Sequence, residues 1–363
     1  MSAARRSVRL PGTFAMRLGG ELPQVDIVYE TWGALSPARD NAVLVVTGLS
    51  PGAHARSSAA DPSPGWWEEM IGPGAALDTE RFHVVCVNSL GSCHGSTGAA
   101  SLDPRTGERY RLTFPVLTIE DIATAAREAL RALGITRLRA VVGPSMGGMT
   151  ALAYALLFPE EVQNLVTISS AARALPFAIA VRSLQREAIR SDPEWKGGDY
   201  PPEAPPRTGL RLARKLGLIT YRSAEEWKAR FGRERLAERG DAVPFGPEFE
   251  VEAYLEMHAQ RFLGSFDANC YLYLSRSMDL FDVAEHGGSV EKGLGRIRAR
   301  TLVIGVTTDF LFPLEQQEEI ASLMQDAGAD VSLVVLPSLQ GHDSFLVDYD
   351  RFCPAVATFM EQA

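Results

Sequence analysis

The sequence predicts an α/β fold: a mostly parallel central sheet flanked by helices, with a helical insertion in its second half. Three observations carry this reading. Short runs rich in Val, Ile and Leu recur along the chain, helical patterns fall between many of them, and the alternation stops between about Ala171 and Arg298 before resuming. Near-continuous apolar runs are what strands covered on both faces look like. Strands that alternate with helices imply a parallel sheet.

In chain order the strand-like runs are VDIVYE from Val25, AVLVVT from Ala42, FHVVCVN from Phe82, RAVVGP from Arg139, NLVTIS from Asn164, TLVIGV from Thr301 and VSLVVL from Val331. TIEDIATAAREALRALG, Thr118 to Gly134, opens with a Thr and a Glu and closes on Gly, as a capped amphipathic helix does. Inside the break, SLQREAI, TGLRLARKLGLITY, AEEWKARFG and FEVEAYLEMHAQRFL read as helices. The breaker-rich GGDYPPEAPP, Gly197 to Pro206, separates the first two. The expected division is one α/β domain made of residues 1–170 and 299–363, carrying residues 171–298 as a helical lid.

Composition narrows the classes of function. Of 363 residues, 46% are hydrophobic and 22% charged, an ordinary globular balance. The net charge of −9, without a dense run of Lys and Arg, argues against nucleic acid or an anionic membrane surface as partner. A small anionic molecule needs only a few local cations and stays possible. MSAARRS has no apolar stretch behind it, so no secretory signal is expected, and no segment nears the roughly 18 apolar residues of a membrane span. Cytoplasm is the expected location. Cys86, Cys93, Cys270 and Cys353 lack metal or redox spacing and read as reduced, mostly packed thiols; for Cys93, set among polar residues and glycines, a pocket wall is the minor alternative. The histidines are too dispersed for a metal site, and no P-loop marks a nucleotide.

The chemistry centres on VVGPSMGGMTAL, Val141 to Leu152. Gly143-Pro144-Ser145-Met146-Gly147 matches the G-x-S-x-G turn between a strand and a helix that presents a nucleophilic serine in α/β-hydrolase folds. The turn is too tight for side chains at its flanks, and the helix N-terminus favours developing negative charge. A serine hydroxyl needs a base oriented by an acid, and in this arrangement they follow in the order Ser, Asp or Glu, His. Asp309 stands just past the end of TLVIGV, and His342 lies in a glycine-bearing loop after VSLVVL. His54, His83, His94, His258 and His286 fit that order less well; Asp343 and Asp348 both follow the histidine. An oxyanion hole takes one amide from the residue after the nucleophile, Met146, and one from an early loop. VVTGLSPGAHA supplies that loop, with Leu49 as the second amide; a plain Gly/Pro turn is the alternative. Acyl transfer through a serine ester follows. Water or another hydroxyl could accept the acyl group, and the three side chains do not distinguish them.

Several stretches together resemble the homoserine O-acetyltransferase family of α/β-hydrolase-fold acyltransferases: VYETWGALSPARDNAVLVVTGLS, CVNSLGSCHGSTGAASLDPRTGERY, VVGPSMGGMTAL, LQREAI, GLRLARKLGLITYRS, NCYLYLSRSMDLFD and QGHDSFLVD. The resemblance covers nearly the whole chain. It implies a ping-pong reaction in which an acyl-coenzyme A acylates Ser145 and an amino-acid hydroxyl then takes the acyl group. No bound cofactor is implied, only acyl-CoA as co-substrate, and a homodimer joined through the lid. It implies that Arg214 holds the acceptor's carboxylate and Asp343 its ammonium; without the resemblance, Arg214 reads as a surface helix residue. Tyr221 and Arg222 are weaker pocket residues. Two departures from the acetyl-transferring pattern stand out. The early loop is TGLSPG, so Gly48, Leu49, Ser50 and Pro51 become specificity candidates. Arg182 stands three residues before Gln185, where acetyl-specific relatives look uncharged, and a cation there could read the free carboxylate of a succinyl group; otherwise it is a solvated helix arginine. GLSPGAHA, GPSMGG and AVRSLQREAI resemble the subgroup of L-serine O-succinyltransferases, which implies succinyl-CoA and L-serine as substrates. Homoserine O-acetyl- or O-succinyltransfer is the runner-up, and a carboxylesterase the rival of another class.

Overall fold

The computed structural model describes residues 4–236 and 245–363. Eight strands form one sheet: β1 (Arg6–Arg9), β2 (Asp26–Trp32), β3 (Ala42–Val46), β4 (His83–Val87), β5 (Leu138–Pro144), β6 (Val162–Ile168), β7 (Arg300–Val306) and β8 (Val331–Leu336). Their order across the sheet is β1-β2-β4-β3-β5-β6-β7-β8. Pairing is parallel from β4 to β8 and antiparallel where β2 meets β1 and β4.

The alternation of side chains along a strand divides the core in two. Leu44, Val46 and Val141 face one side with Ile122, Ala126 and Leu152. Val43, Val45 and Val142 face the other with Phe352 and Val356. The first side is covered by α1 (Ile119–Ala132) and α2 (Met146–Leu157), and their lack of bulky groups at Ala123, Ala126 and Ala153 lets them lie close to the sheet. Thr118 caps α1, accepting the Asp121 N–H at 3.2 Å, while the Asp121 carboxylate accepts the Thr118 N–H at 2.9 Å. The acidic partner of the cap is therefore Asp121. Glu120, next to it, is buried and accepts a hydrogen bond from His286 at 2.8 Å instead.

Between β6 and β7 the chain forms α3 (Pro176–Arg190), α4 (Arg207–Tyr221), α5 (Ala224–Phe231), α6 (Glu250–Phe262), α7 (Ala268–Leu280) and the short α8 (Val290–Leu294). After β7 come α9 (Leu314–Asp326) and, after β8, α10 (Tyr349–Glu361). Among the described residues no helix is long and apolar enough to cross a membrane.

Three features depart from the sequence reading. β1 was not expected: RSVR is short, polar and largely exposed at the sheet edge. β8 lies at the other edge, and only Leu336 in it is fully buried, so it is not covered on both faces. α7 was not read as a helix, because its buried face carries Asn269, Ser275 and Ser277 as well as apolar groups, which blurs the 3.6-residue period.

Candidate active site

Ser145 joins β5 to α2 with φ 56° and ψ −123°, a conformation non-glycine residues avoid and which costs of order 1–3 kcal/mol. The surroundings impose it. Its N–H donates to the Ile168 carbonyl at 2.9 Å, and the Ser170 hydroxyl donates to its carbonyl at 3.0 Å. The flanking glycines are required by space. A Cβ on Gly143 would lie 2.2 Å from the Gly147 carbonyl oxygen, and one on Gly147 would lie 2.3 Å from that of Val46.

The ends of β5, β7 and β8 bring three distant residues together. The Ser145 hydroxyl donates to His342 Nε2 at 2.8 Å, and His342 Nδ1 donates to Asp309 Oδ2 at 2.7 Å. Asp309 Oδ1 accepts the N–H groups of Leu311 (3.0 Å) and Phe312 (2.9 Å), which fixes the carboxylate. Phe312 stacks on the imidazole with ring centres 5.1 Å apart. Burial pulls the imidazole's pKa down, but the Asp309 charge and hydrogen bond outweigh it and leave it raised. The other acids are engaged elsewhere: Asp348 by Ser338 and Arg351, and Asp343 by Arg222 at 3.3 Å. His54 donates to Glu30 and His94 to the Ser50 carbonyl. Cys93 packs by the start of α7, accepting the Asp267 N–H, and burial pushes its thiol up to about 11.

Two cavities meet at Ser145. The outer one, about 570 Å³, is lined by Gly48, Leu49, Ser50 and Pro51 on one side and by Arg214, His342 and Asp343 on the other. Arg214 is half-buried. Its guanidinium lies over the Phe262 ring at 4.7 Å, and its Nε has no hydrogen-bond partner. It is thus no ordinary surface arginine. Its neighbour Lys215 and Arg211 both pair with Glu256, whose carboxyl Lys215 first of all holds at about 2. Burial raises the Asp343 carboxyl's pKa against the pull of Arg222, so Arg222 is a direct neighbour of the site rather than a marginal one.

The inner cavity, about 390 Å³, is walled largely by the insertion: Val181, Arg182 and Gln185 of α3, Tyr221 of α4, and Tyr271 and Met278 of α7. Leu49 and Tyr221 line both cavities. Arg182 is only 4% exposed, which removes the solvated alternative. Its Nε donates to Asp279 at 2.5 Å, and its Nη2 is buried without a hydrogen-bond partner. Met146 opens α2 directly after the serine, so its amide is one of the free N–H groups of a helix N-terminus.

Sequence reasoning missed Trp66, which lines the outer cavity and donates to the Gly52 carbonyl at 3.0 Å, and His94, which pins the same loop through Ser50. It also missed Tyr271 and Met278, which belong to the unforeseen α7. His94, Tyr271 and Met278 lie in stretches that carry the family resemblance, but nothing in those stretches assigns them to a pocket. Among the described residues no group of three or more His, Cys, Asp and Glu side chains could hold a metal.

An α/β-hydrolase-fold family profile matches residues 41–349. A serine O-succinyltransferase of Litchfieldella anticariensis is 59% identical over 363 residues, covering 99% of each chain. An L-serine/homoserine O-acetyltransferase of Streptomyces lavendulae is also 59% identical, over 98% of this chain and 97% of its own. Among solved structures, esterase E22 matches with a TM-score of 0.90 at 30% identity, over 98% of this chain and 99% of that one.

Proposed function

Because the chain belongs to the α/β-hydrolase-fold family, among the O-acyltransferases that include serine O-succinyltransferases, we propose that it transfers a succinyl group from succinyl-CoA to the hydroxyl of L-serine. The observation that carries the donor is Arg182: a buried cation that lines the cavity beside the nucleophile and whose Nη2 has no hydrogen-bond partner. A succinyl carboxylate brings a further partner to a guanidinium that has only a shared Asp279, whereas an acetyl group brings none.

Ser145 attacks the thioester carbonyl as His342 Nε2 takes its proton, with Asp309 orienting the ring and stabilising the imidazolium. The amides of Leu49 and Met146 receive the oxyanion. The C–S bond breaks, His342 protonates the leaving thiolate, and a succinyl ester on Ser145 remains. Serine then enters the outer cavity, its carboxylate on Arg214 and its ammonium on Asp343, with Gly48, Ser50 and Pro51 shaping the wall opposite. His342 removes the hydroxyl proton, the oxygen attacks the ester, and Ser145 regains its proton as O-succinyl-L-serine leaves. Residues 171–298 serve as a lid over the α/β domain of 1–170 and 299–363 and keep water from the ester. The chain pairs as a homodimer through that lid. Succinyl-CoA as donor supports a cytoplasmic location.

The Streptomyces relative's printed activity supports a second reading, O-acetyltransfer to serine or homoserine. The two acceptors differ by one methylene, a difference of only about 1–3 kcal/mol in a pocket. Thiol release with succinyl- or acetyl-CoA, each with L-serine or L-homoserine, separates the readings. Succinyl-CoA with serine should dominate. Dominance of acetyl-CoA with homoserine would overturn both substrate assignments. Fast thiol release without any acceptor would make the protein a hydrolase.

A further inference from the structure

We propose that Arg186, which does not line the cavity holding Ser145, sets the donor preference by keeping Arg182 short of one negative charge. The inference rests on the reading of Arg182 as the receiver of the succinyl carboxylate. Three side chains form a largely buried cluster across α3 and α7, with Arg186 and Asp279 also lining an open cleft on one side. Arg182 Nε meets Asp279 Oδ1 at 2.5 Å, and Arg186 Nη2 meets Asp279 Oδ2 at 2.7 Å; the three side chains are 5%, 19% and 10% exposed for Arg182, Arg186 and Asp279. Arg186 is held in place by a further bond from Nη1 to the Ser275 hydroxyl at 3.0 Å.

The charge count decides what the cluster can do. Two guanidinium groups share one carboxylate, so the cluster carries a net charge of about +1 (two cations, one anion). An arginine and a carboxylate left to themselves form a two-bond fork. Here the second carboxylate oxygen faces Arg186, and Arg182 keeps an unused N–H at Nη2. Were Asp279 paired with Arg182 alone, the pair would be neutral and the cavity would hold little attraction for an anion. With Arg186 present, a carboxylate in the cavity completes two pairs. An acyl group without a carboxylate leaves a buried surplus charge, which is costly. Arg186 is thus a positioning residue acting through Asp279.

Its location makes the idea testable. Arg186 faces an open cleft on the far side of α3 and α7, alongside Arg190 and Arg276, and is absent from the wall of the inner cavity. Changing it alters the charge count without removing any residue of the inner cavity wall. The experiment measures kcat and KM for succinyl-CoA and acetyl-CoA at saturating serine in the wild type, Arg182→Ala, Arg186→Gln and Arg186→Lys. Loss of one charge near the site should raise the KM for succinyl-CoA about tenfold in Arg186→Gln, with kcat within about twofold and the KM for acetyl-CoA no higher than in the wild type. Arg186→Lys keeps the charge and should restore the KM. If Arg186→Gln unfolds at the assay temperature, Arg186→Met keeps the alkyl stem packed and carries the same expectation. A donor-selective effect of Arg182→Ala with none in Arg186→Gln or Arg186→Met overturns this inference alone. So does an equal loss with both donors, or a loss that lysine fails to rescue. No donor-selective effect in Arg182→Ala overturns the reading of Arg182 and the inference with it.

Discussion

His342 works between two carboxylates, of which only Asp309 touches its ring, at 2.7 Å. Burial alone would lower the imidazole's pKa; Asp309 raises it past the ordinary value, and the nearby Asp343 charge adds to the rise. A general base must be neutral to act, so the rate falls as pH drops through that pKa. The acid limb of kcat/KM should therefore lie above the ordinary imidazole value of about 6.5. Asp309→Asn removes the raising charge and keeps the burial. Its acid limb should move to lower pH, while the plateau drops roughly 10³–10⁴-fold because the ring loses its orientation. A pH–rate profile checks both, and a limb that stays put or moves upward would sink the assignment of Asp309. Ser145, Asp309 and His342, which the structure joins by hydrogen bonds, could be proposed from the sequence because each follows a strand-like run in the order Ser, Asp, His. Asp279 and Arg186 could not. The sequence shows two arginines one turn apart on α3, but the carboxylate they share comes from α7, ninety-odd residues further on.

The strand–turn–helix element around Ser145 illustrates how a local motif is paid for by its neighbours. G-x-S-x-G is visible in the sequence, yet what forbids a side chain at Gly147 is β3, about a hundred residues earlier: the Val46 carbonyl sits 2.3 Å from where a Gly147 Cβ would go. That contact is with backbone, which cannot swing away as a side chain can. Gly147→Ala should cost at least about 2 kcal/mol of stability and disturb the serine's setting. Gly264→Ala is the matched control, since its Cβ would meet nothing within 4 Å and its φ is ordinary. It should stay within about 0.5 kcal/mol of wild type. Urea unfolding of the two variants tests the pair, and equal stabilities would refute the steric account. Elements whose burial is even along their length, such as β3 and β5, were readable from composition. β1 was hidden because a polar edge strand has no apolar signature, and α7 because its buried hydroxyl and amide groups are satisfied only in the folded chain: Asn269 accepts from Trp195 and donates to the Gly198 carbonyl.

The whole molecule combines a sheet whose strand ends bring Ser145, His342 and Asp309 together with helices between β6 and β7 that supply most of the inner cavity wall. In the sequence those helices show as a break in strand–helix alternation. What covers the outside of the insertion was not, because it depends on which helix faces are left bare. α3 exposes Phe177 and Leu184, and α4, packed beside it, exposes Leu212 and Ile219, each about half accessible. Leu212 and Ile219 are seven residues apart, so they lie on one face of α4. Large apolar side chains gathered on adjoining helices mark an association surface, which supports the homodimer through the lid. Neither Leu184 nor Leu212 lines the two cavities at Ser145, so association should be separable from catalysis. Sedimentation of the wild type should give about twice the 39.4 kDa chain mass. The double variant Leu184→Glu, Leu212→Glu places two charges on that face and should sediment as a folded monomer, with kcat/KM within about threefold of wild type. A wild type that is already monomeric, or a double variant that still pairs, would show that these helices do not form the interface. A folded monomer without activity would mean that the second copy holds the lid in its working position.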